Sequence, residues 1–355
     1  MSEQQQEVVS NGSGATPVFW CLLSAALFGA STPASKVLLG EMGPLTLAGL
    51  LYVGAAVVTL PLIFEGGNPG RRRERTNLMR MGGAVLFGGV LGPIALLIGL
   101  TSAPAASVSL WLNFETTATA LFGWLIFREH LDARAWTANI LVVVAGVMLV
   151  TPDDFVVAPA AFMVLLAAIF WGLDNSLTAI IDAYTPSQMT FIKGVVAGVV
   201  NIALGQVMGE GWSFGWTVVV GALLVGALSY GLSIVLYIKG AQLLGAVRSQ
   251  MIFASAPFLG MALSWVWLGE EVLGVQIAAG VVMAIALALL INNDHSHHHI
   301  HEPLTHTHTH RHDDGHHNHT HEGLPPEVWH THEHSHEAME HCHDHLPDMH
   351  HRHTH

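Results

Sequence analysis

The sequence predicts an all-α polytopic membrane protein of about ten transmembrane helices, arranged as two inverted five-helix repeats and followed by a disordered histidine-rich cytoplasmic tail. Three observations carry this. Of 355 residues, 51% are hydrophobic and only 11% charged, with a mean hydropathy of +0.47; soluble domains carry roughly 25% charge. Ahead of Asn292, nearly every window of about 20 residues is apolar enough to cross a bilayer core of about 30 Å. Lipid cannot hydrogen-bond a free backbone, and the alternation of a membrane barrel is absent, so the spanning element is the helix.

In order, the spans fall near 18–39, 44–64, 80–100, 104–127, 135–151, 159–181, 187–208, 214–238, 245–268 and 272–291. The separators between them are short and marked by Gly, Pro and charge, such as GEMGP at 40–44, REHLDAR at 128–134 and GEEVLG at 269–274. The first run follows a leader without Lys or Arg and lacks a small-residue cleavage site, so it reads as a span and not a cleaved signal peptide. Residues 1–16 form an N-terminal cytoplasmic segment, 17–151 and 159–291 the two repeats, and 292–355 the tail.

Orientation follows from the cations, because short loops rich in Lys and Arg stay in the cytoplasm. Arg71, Arg72, Arg73, Arg75, Arg80, Arg128, Arg134, Lys239 and Arg248 all fall on even-to-odd connections. The odd-to-even loops hold Asp153, Asp154, Glu210, Glu270 and Glu271, with no cation apart from Lys36 at the end of the first span. Both termini are therefore expected in the cytoplasm, with the chain in the cell (inner or plasma) membrane.

The two halves echo each other. Leu27-Phe28-Gly29 with Pro44 is answered by Phe170-Trp171-Gly172 with Pro186, and GWLIFREHL ending at Leu131 is answered by SWVWLGEEVL ending at Leu273. Five spans per copy is an odd number, so the second copy enters the membrane upside down, the construction of secondary transporters. On these stretches, together with FGASTPASK and FWGLDNSLT…FIKGVVAG, the sequence resembles the EamA-like permeases of the drug/metabolite transporter superfamily over roughly residues 17 to 291. The resemblance implies a ten-helix carrier of a small organic metabolite or drug-like solute. It also implies a basic residue just after the second-span proline in many relatives, where this chain has LAGLLYVGA with Leu51 and Tyr52.

Polar residues inside the spans are the substrate-binding candidates. A charge at a helix centre costs about 2.5–3.5 kcal/mol on insertion scales, so it is retained facing a cavity or partner. Asn113 and Thr117, four apart, share one helical face and Glu115 and Thr119 an adjoining one, which makes a polar strip about two turns long. The second half offers Asp174 and Asn175 with Thr178, and then Lys193 and Asn201. Lys193 needs an anion, and Asp174 and Glu115 are the available ones. Three readings stand for Glu115, a cavity residue, a helix bridge or a side chain reaching water. A static ion pair stands beside the substrate reading for Lys193. Glu129 and Glu270 fall where helices end and read as structural. Pro93 and Pro257 should kink their helices and free backbone carbonyls, and Gly88/Gly92 and Gly194/Gly198 allow close helix approach.

All but one of the 25 histidines, His130, lie beyond Asp294. Imidazole is the commonest metal ligand, so His297, His299, His301, His306, His308, His310, His332, His334, His336, His341, His343 and His345, with Cys342, are read as ligands for Zn, Ni, Co or Cu. No cofactor is required for transport. A tail so poor in apolar residues should be disordered when metal-free. Two functions follow. One is a metabolite carrier whose tail senses or buffers a divalent transition metal. The other is a transition-metal (Ni, Co or Zn) exporter whose tail collects the cargo, which the scarcity of His and Cys inside the spans disfavours. No HExxH or nucleophile elbow marks an enzyme. Nothing points to nucleic acid; the expected partners are the bilayer and a small-molecule substrate, with a homodimer left open.

Overall fold

The structure, a computed structural model, describes residues 15–64, 74–127, 133–150, 157–181, 183–244 and 252–291 of the body. In the tail it describes 296–301, 304–310, 330–336 and 339–344. Residues 1–14 of the N-terminal segment, Arg71, Arg72, Arg73, Arg128, Glu129, His130, Asp153, Asp154, Arg248 and His345 lie outside the described residues.

The body is built of helices: α1 (Ala15–Gly29), α2 (Ser31–Leu38), α3 (Pro44–Thr59), α4 (Arg75–Ala84), α5 (Gly92–Ser102), α6 (Ala105–Trp111), α7 (Phe114–Phe122) and α8 (Ala133–Met148) precede α9 (Val157–Ala179), α10 (Pro186–Val207), α11 (Trp216–Val225), α12 (Ser233–Leu244), α13 (Ala256–Trp267) and α14 (Gly274–Ile291). Six continuous stretches are long and apolar enough to cross a membrane: Pro17–Leu38, Pro44–Leu62, Arg75–Ser102, Ala158–Thr178, Pro186–Val207 and Trp216–Ile238. Ala133–Met148, Ala256–Trp267 and Gly274–Leu289 are apolar but shorter. The expected span at 104–127 runs as α6, α7 and a π-helical turn, Gly123–Phe127, with a break at Leu112 and Asn113.

Some helix starts have a local cause. Pro44 and Pro186 occupy the first helical turn of α3 and α10, where the missing N–H costs nothing within the helix. Thr185 caps α10, its hydroxyl accepting from the Gln188 N–H while Gln188 returns a bond to the Thr185 N–H. Large apolar side chains such as Phe19, Val57, Ile140, Val199, Trp216 and Val266 point outward and are exposed on the bundle surface. In water such a surface would be costly; in lipid it is the required one.

The principal contacts join the two halves. α3 packs on α10, α5 and α7 on α9, α1 on α12 and α13, α6 on α13, and α8 on α14. Exchanging the halves maps this scheme onto itself: α9 with its partners α5 and α7 corresponds to α1 with α12 and α13. Two π-helical segments repeat the correspondence, Val85–Leu91 between α4 and α5 and Gly226–Leu232 between α11 and α12. The principal core, with Trp111, Leu47, Leu51, Leu97 and Leu100 fully buried, draws on both halves.

The chain divides into two compact units, Met1–Asn292 and Asn293–His355. In the second, where a tail disordered when metal-free is expected, the described residues form four short strands. β1 (Ser296–His301) pairs antiparallel with β4 (Met339–Asp344), and β2 (Leu304–His310) with β3 (His330–His336), as two separate two-stranded ribbons. The second ribbon has a period-two pattern, histidine alternating with threonine in THTHTH and with Thr331, Glu333 and Ser335 in HTHEHSH.

Candidate functional site

The site is organised around a local irregularity. Pro93 has no N–H, so the Gly89 carbonyl one turn earlier loses its helical partner. The Asn201 Nδ2 of α10 donates to that carbonyl at 3.0 Å. The preceding carbonyl, Gly88, lies in the same π-helical segment and accepts from the Tyr52 hydroxyl at 2.5 Å and from the Trp171 Nε1 at 3.1 Å. Three helices, α3, α9 and α10, are thus pinned to the wide turn of a fourth. Position 88 must be glycine, since a Cβ there would run into the Asp174 carboxylate.

Asp174 is the anion that answers Lys193. The Lys193 Nζ donates to Asp174 Oδ1 at 2.5 Å and Oδ2 at 2.7 Å, and to the Thr178 hydroxyl at 3.3 Å. Thr178 in turn donates to Asp174 Oδ1 at 3.1 Å. The two charged side chains are 15% and 11% exposed, so the pair is largely withdrawn from solvent. One residue further along α9, Asn175 Nδ2 donates to Glu115 Oε1 at 2.9 Å and to the Thr119 hydroxyl at 3.2 Å. Adjacent residues of α9 therefore carry two polar clusters, one shared with α10 and one with α7. Glu115 forms an inter-helix bridge here, one of the readings its sequence position allowed.

The remaining candidates diverge. The Asn113 Nδ2 donates to Leu110 O at 3.0 Å and to Met283 Sδ at 3.4 Å, toward α14 and away from Asn175. Thr117 is buried, and its hydroxyl has no hydrogen-bond partner among the described residues. Thr117 lies only two residues along α7 from Glu115 and so falls on a different side of that helix, and Asn113 stands at the break ahead of α7. Beyond the expected set, the structure adds Tyr52, Trp171 and an aromatic row. Tyr52 and Tyr230 lie 5.9 Å apart between ring centres, Tyr230 and Phe28 6.0 Å, and Phe28 and Phe253 5.3 Å. The sequence holds only 4 tyrosines, and two of them inside apolar runs were the available signal, since a buried phenol needs a partner.

In the tail, the strand register sets His306 opposite His334, His308 opposite His332 and His310 opposite His330. In the other ribbon His297 is opposite His343, His298 opposite Cys342 and His299 opposite His341, while His301 pairs with Met339 and His336 with Leu304.

A bundle of apolar helices with charged and amide side chains between its halves is what a small-solute carrier presents. Residues 15–151 and 158–292 each match the EamA-like transporter family. The chain belongs to that family. An uncharacterized transporter of Methanothermobacter thermautotrophicus is 27% identical over 283 residues, covering 74% of this chain and 82% of that protein. A probable amino-acid metabolite efflux pump of Salmonella typhimurium is 27% identical over 282 residues, covering 75% and 91%. A solved crystal structure superposes with a TM-score of 0.56 over 77% of this EamA-like transporter and 97% of its own chain, at 16% identity, a likeness of fold. The protein is thus a multi-pass membrane transporter of the small-metabolite type, and its two family matches fall on the two halves that the packing pairs.

Proposed function

We propose that this EamA-like transporter is a secondary carrier of a small organic solute, with its two five-helix halves inserted in opposite senses and the solute handled between them. The observation that carries the reading is the pair of polar clusters on α9, Asp174–Lys193–Thr178 and Asn175–Glu115–Thr119. Charges inside spans are costly and are kept where a cargo or a coupled ion uses them. The relative named as a probable amino-acid metabolite efflux pump supports an organic solute that carries charge. Exchangeable packing of the two halves supports alternating access by rocking one half against the other. The histidine tail acts as a cytoplasmic buffer or sensor for a divalent transition metal. Histidines opposed across both ribbons support it, because two strands can then supply ligands to one ion.

The test is transport in vesicles against a panel of metabolites and of Zn, Ni and Co. Glu115→Gln keeps an acceptor for Asn175 and removes the charge. Transport should fall to background, with expression and detergent stability near wild type. Transport unchanged in that variant would sink the role given to Glu115, and movement of metal that no organic solute competes would replace this function with metal export.

A further inference from the structure

Two carboxylates do something the rest of the bundle does not. The Glu210 carboxylate accepts from the Leu45 N–H at 3.0 Å and the Thr46 N–H at 2.7 Å, the opening of α3. The Glu270 carboxylate accepts from the Ala105 N–H at 2.7 Å and the Ala106 N–H at 2.9 Å, the opening of α6. Neither helix has a side-chain cap of its own, since their N-cap residues are Gly43 and Pro104. The sequence separations are 165 and 164 in both cases. The lead-in is also repeated: each glutamate follows a helix end and a left-handed glycine, Gly209 at φ 83° and Gly269 at φ 66°, the positive-φ glycines among the described residues. The second half thus reaches into the first twice with one device.

Both contacts lie at the same end of the bundle. Residues 39–43 join α2 to α3, and residues 103–104 join α5 to α6. Between these turns Lys36 Nζ donates to the carbonyls of Leu100 at 2.6 Å, Ala103 at 2.9 Å and Thr101 at 3.3 Å. Four residues after Ala105 on α6, Ser109 lines a small void with Phe28, Thr32, Leu112 and Pro257, and its buried hydroxyl has no hydrogen-bond partner among the described residues.

We infer that Glu210 and Glu270 are paired latches of a gate, holding this end of the bundle shut in the described state and releasing the α3 and α6 openings when the halves rock apart. The inference rests on the alternating-access reading above. An ordinary cap comes from the helix's own chain and moves with it. These caps come from the opposite half, so any separation of the halves at this end breaks four charge-assisted bonds. Such bonds are strong enough to define a closed state and few enough to be exchanged for water.

The experiment is accessibility, which needs no known substrate. In a Cys21→Ala, Cys342→Ser background, Ser109→Cys is labelled with a membrane-impermeant thiol reagent supplied to each face of sealed vesicles. Glu210→Gln and Glu270→Gln should each raise labelling from one face by about tenfold, the effect of losing one charge-assisted contact, with the melting temperature retained. In a second arm, Leu45→Cys with Glu210→Cys is bridged by a bifunctional maleimide, which should hold labelling at Ser109→Cys near its closed rate and stop transport. Unchanged labelling in both glutamine variants would overturn the latch. So would labelling that rises equally from both faces with a falling melting temperature, the mark of static caps whose loss loosens the fold. If either variant cannot be reconstituted, the cross-link decides, since full bridging with undiminished labelling or transport excludes a gate. Faster labelling without transport of any solute would keep the latch and sink the transport reading alone.

Discussion

Lys193 shows how a single side chain constrains the interior. Its ammonium is held by both oxygens of Asp174, and each of the two is nearly withdrawn from solvent. Removing one partner leaves the other charge buried and uncompensated, at a cost of about 3–5 kcal/mol, whereas removing both together is close to neutral. Lys193→Met alone should therefore lower stability markedly, and Lys193→Met with Asp174→Asn should recover most of it, read as thermal unfolding in detergent. Transport should stay abolished in the stable double variant if the pair serves the cargo. A double variant that transports normally would make the pair structural only. Asn201 illustrates the same economy with a neutral group, because it pairs the carbonyl that Pro93 leaves without an N–H. The sequence marked Lys193, Asp174, Asn175 and Asn201 as polar residues in apolar runs, but nothing local said which would meet. Asp174 and Glu115 were equal candidates until α9 placed one toward α10 and the other's partner toward α7.

Among the elements, the helix ends are where local rules and long-range contacts divide the work. α10 closes with Gly209 N–H bonded to Gln206 O at 3.1 Å and Glu210 N–H bonded to Gly205 O at 2.9 Å, the bond pattern of a left-handed glycine stop. A Cβ at Gly209 or Gly269 meets no neighbouring atom, so the cost of adding one is backbone strain alone. Gly209→Ala and Gly269→Ala should each lose about 1–2 kcal/mol, measured by thermal unfolding, while Gly82→Ala, at an open helical position, should be neutral or slightly stabilising. An equal response at all three would remove the special conformation from the account. The starts of α3 and α6 were legible from Pro44 and Pro104, but their caps were not. A side chain 165 residues away leaves no trace in the local pattern.

For the whole molecule, two tests separate the carrier from its appendage and its orientation. Truncation after Asn292 removes every tail ligand and none of the described body, so the body should still insert, fold and carry its solute. Metal binding should disappear with the tail. In the intact protein it should weaken below about pH 6, because a protonated imidazole cannot ligate and the unperturbed histidine pKa is about 6.5. Isothermal titration with Zn and Ni at several pH values reads both outcomes, and retained stoichiometric binding in the truncated chain would move the site into the body. Cysteines introduced at 71–75 and in the tail should be labelled only from the cytoplasmic side, and one at Asp153 only from outside; the opposite result would invert the molecule.

Some of this was decided by the chain in isolation. Apolar runs of bilayer length dictate helices, and the echo of Leu27-Phe28-Gly29 with Pro44 in Phe170-Trp171-Gly172 with Pro186 marks two copies within the sequence itself. Such features are local: they depend on composition and spacing within a few turns. Tertiary structure alone chose Asp174 for Lys193, sent Asn113 to Met283 instead of to Asn175, brought Tyr52 and Trp171 onto Gly88, and carried Glu210 and Glu270 to helix starts in the other half. The THTHTH stretch likewise carried the period of a strand, but its register against His330–His336 needed the ribbon itself. A polar atom buried in a bundle must find a partner, and which one it finds depends on helices that meet only after the chain has folded.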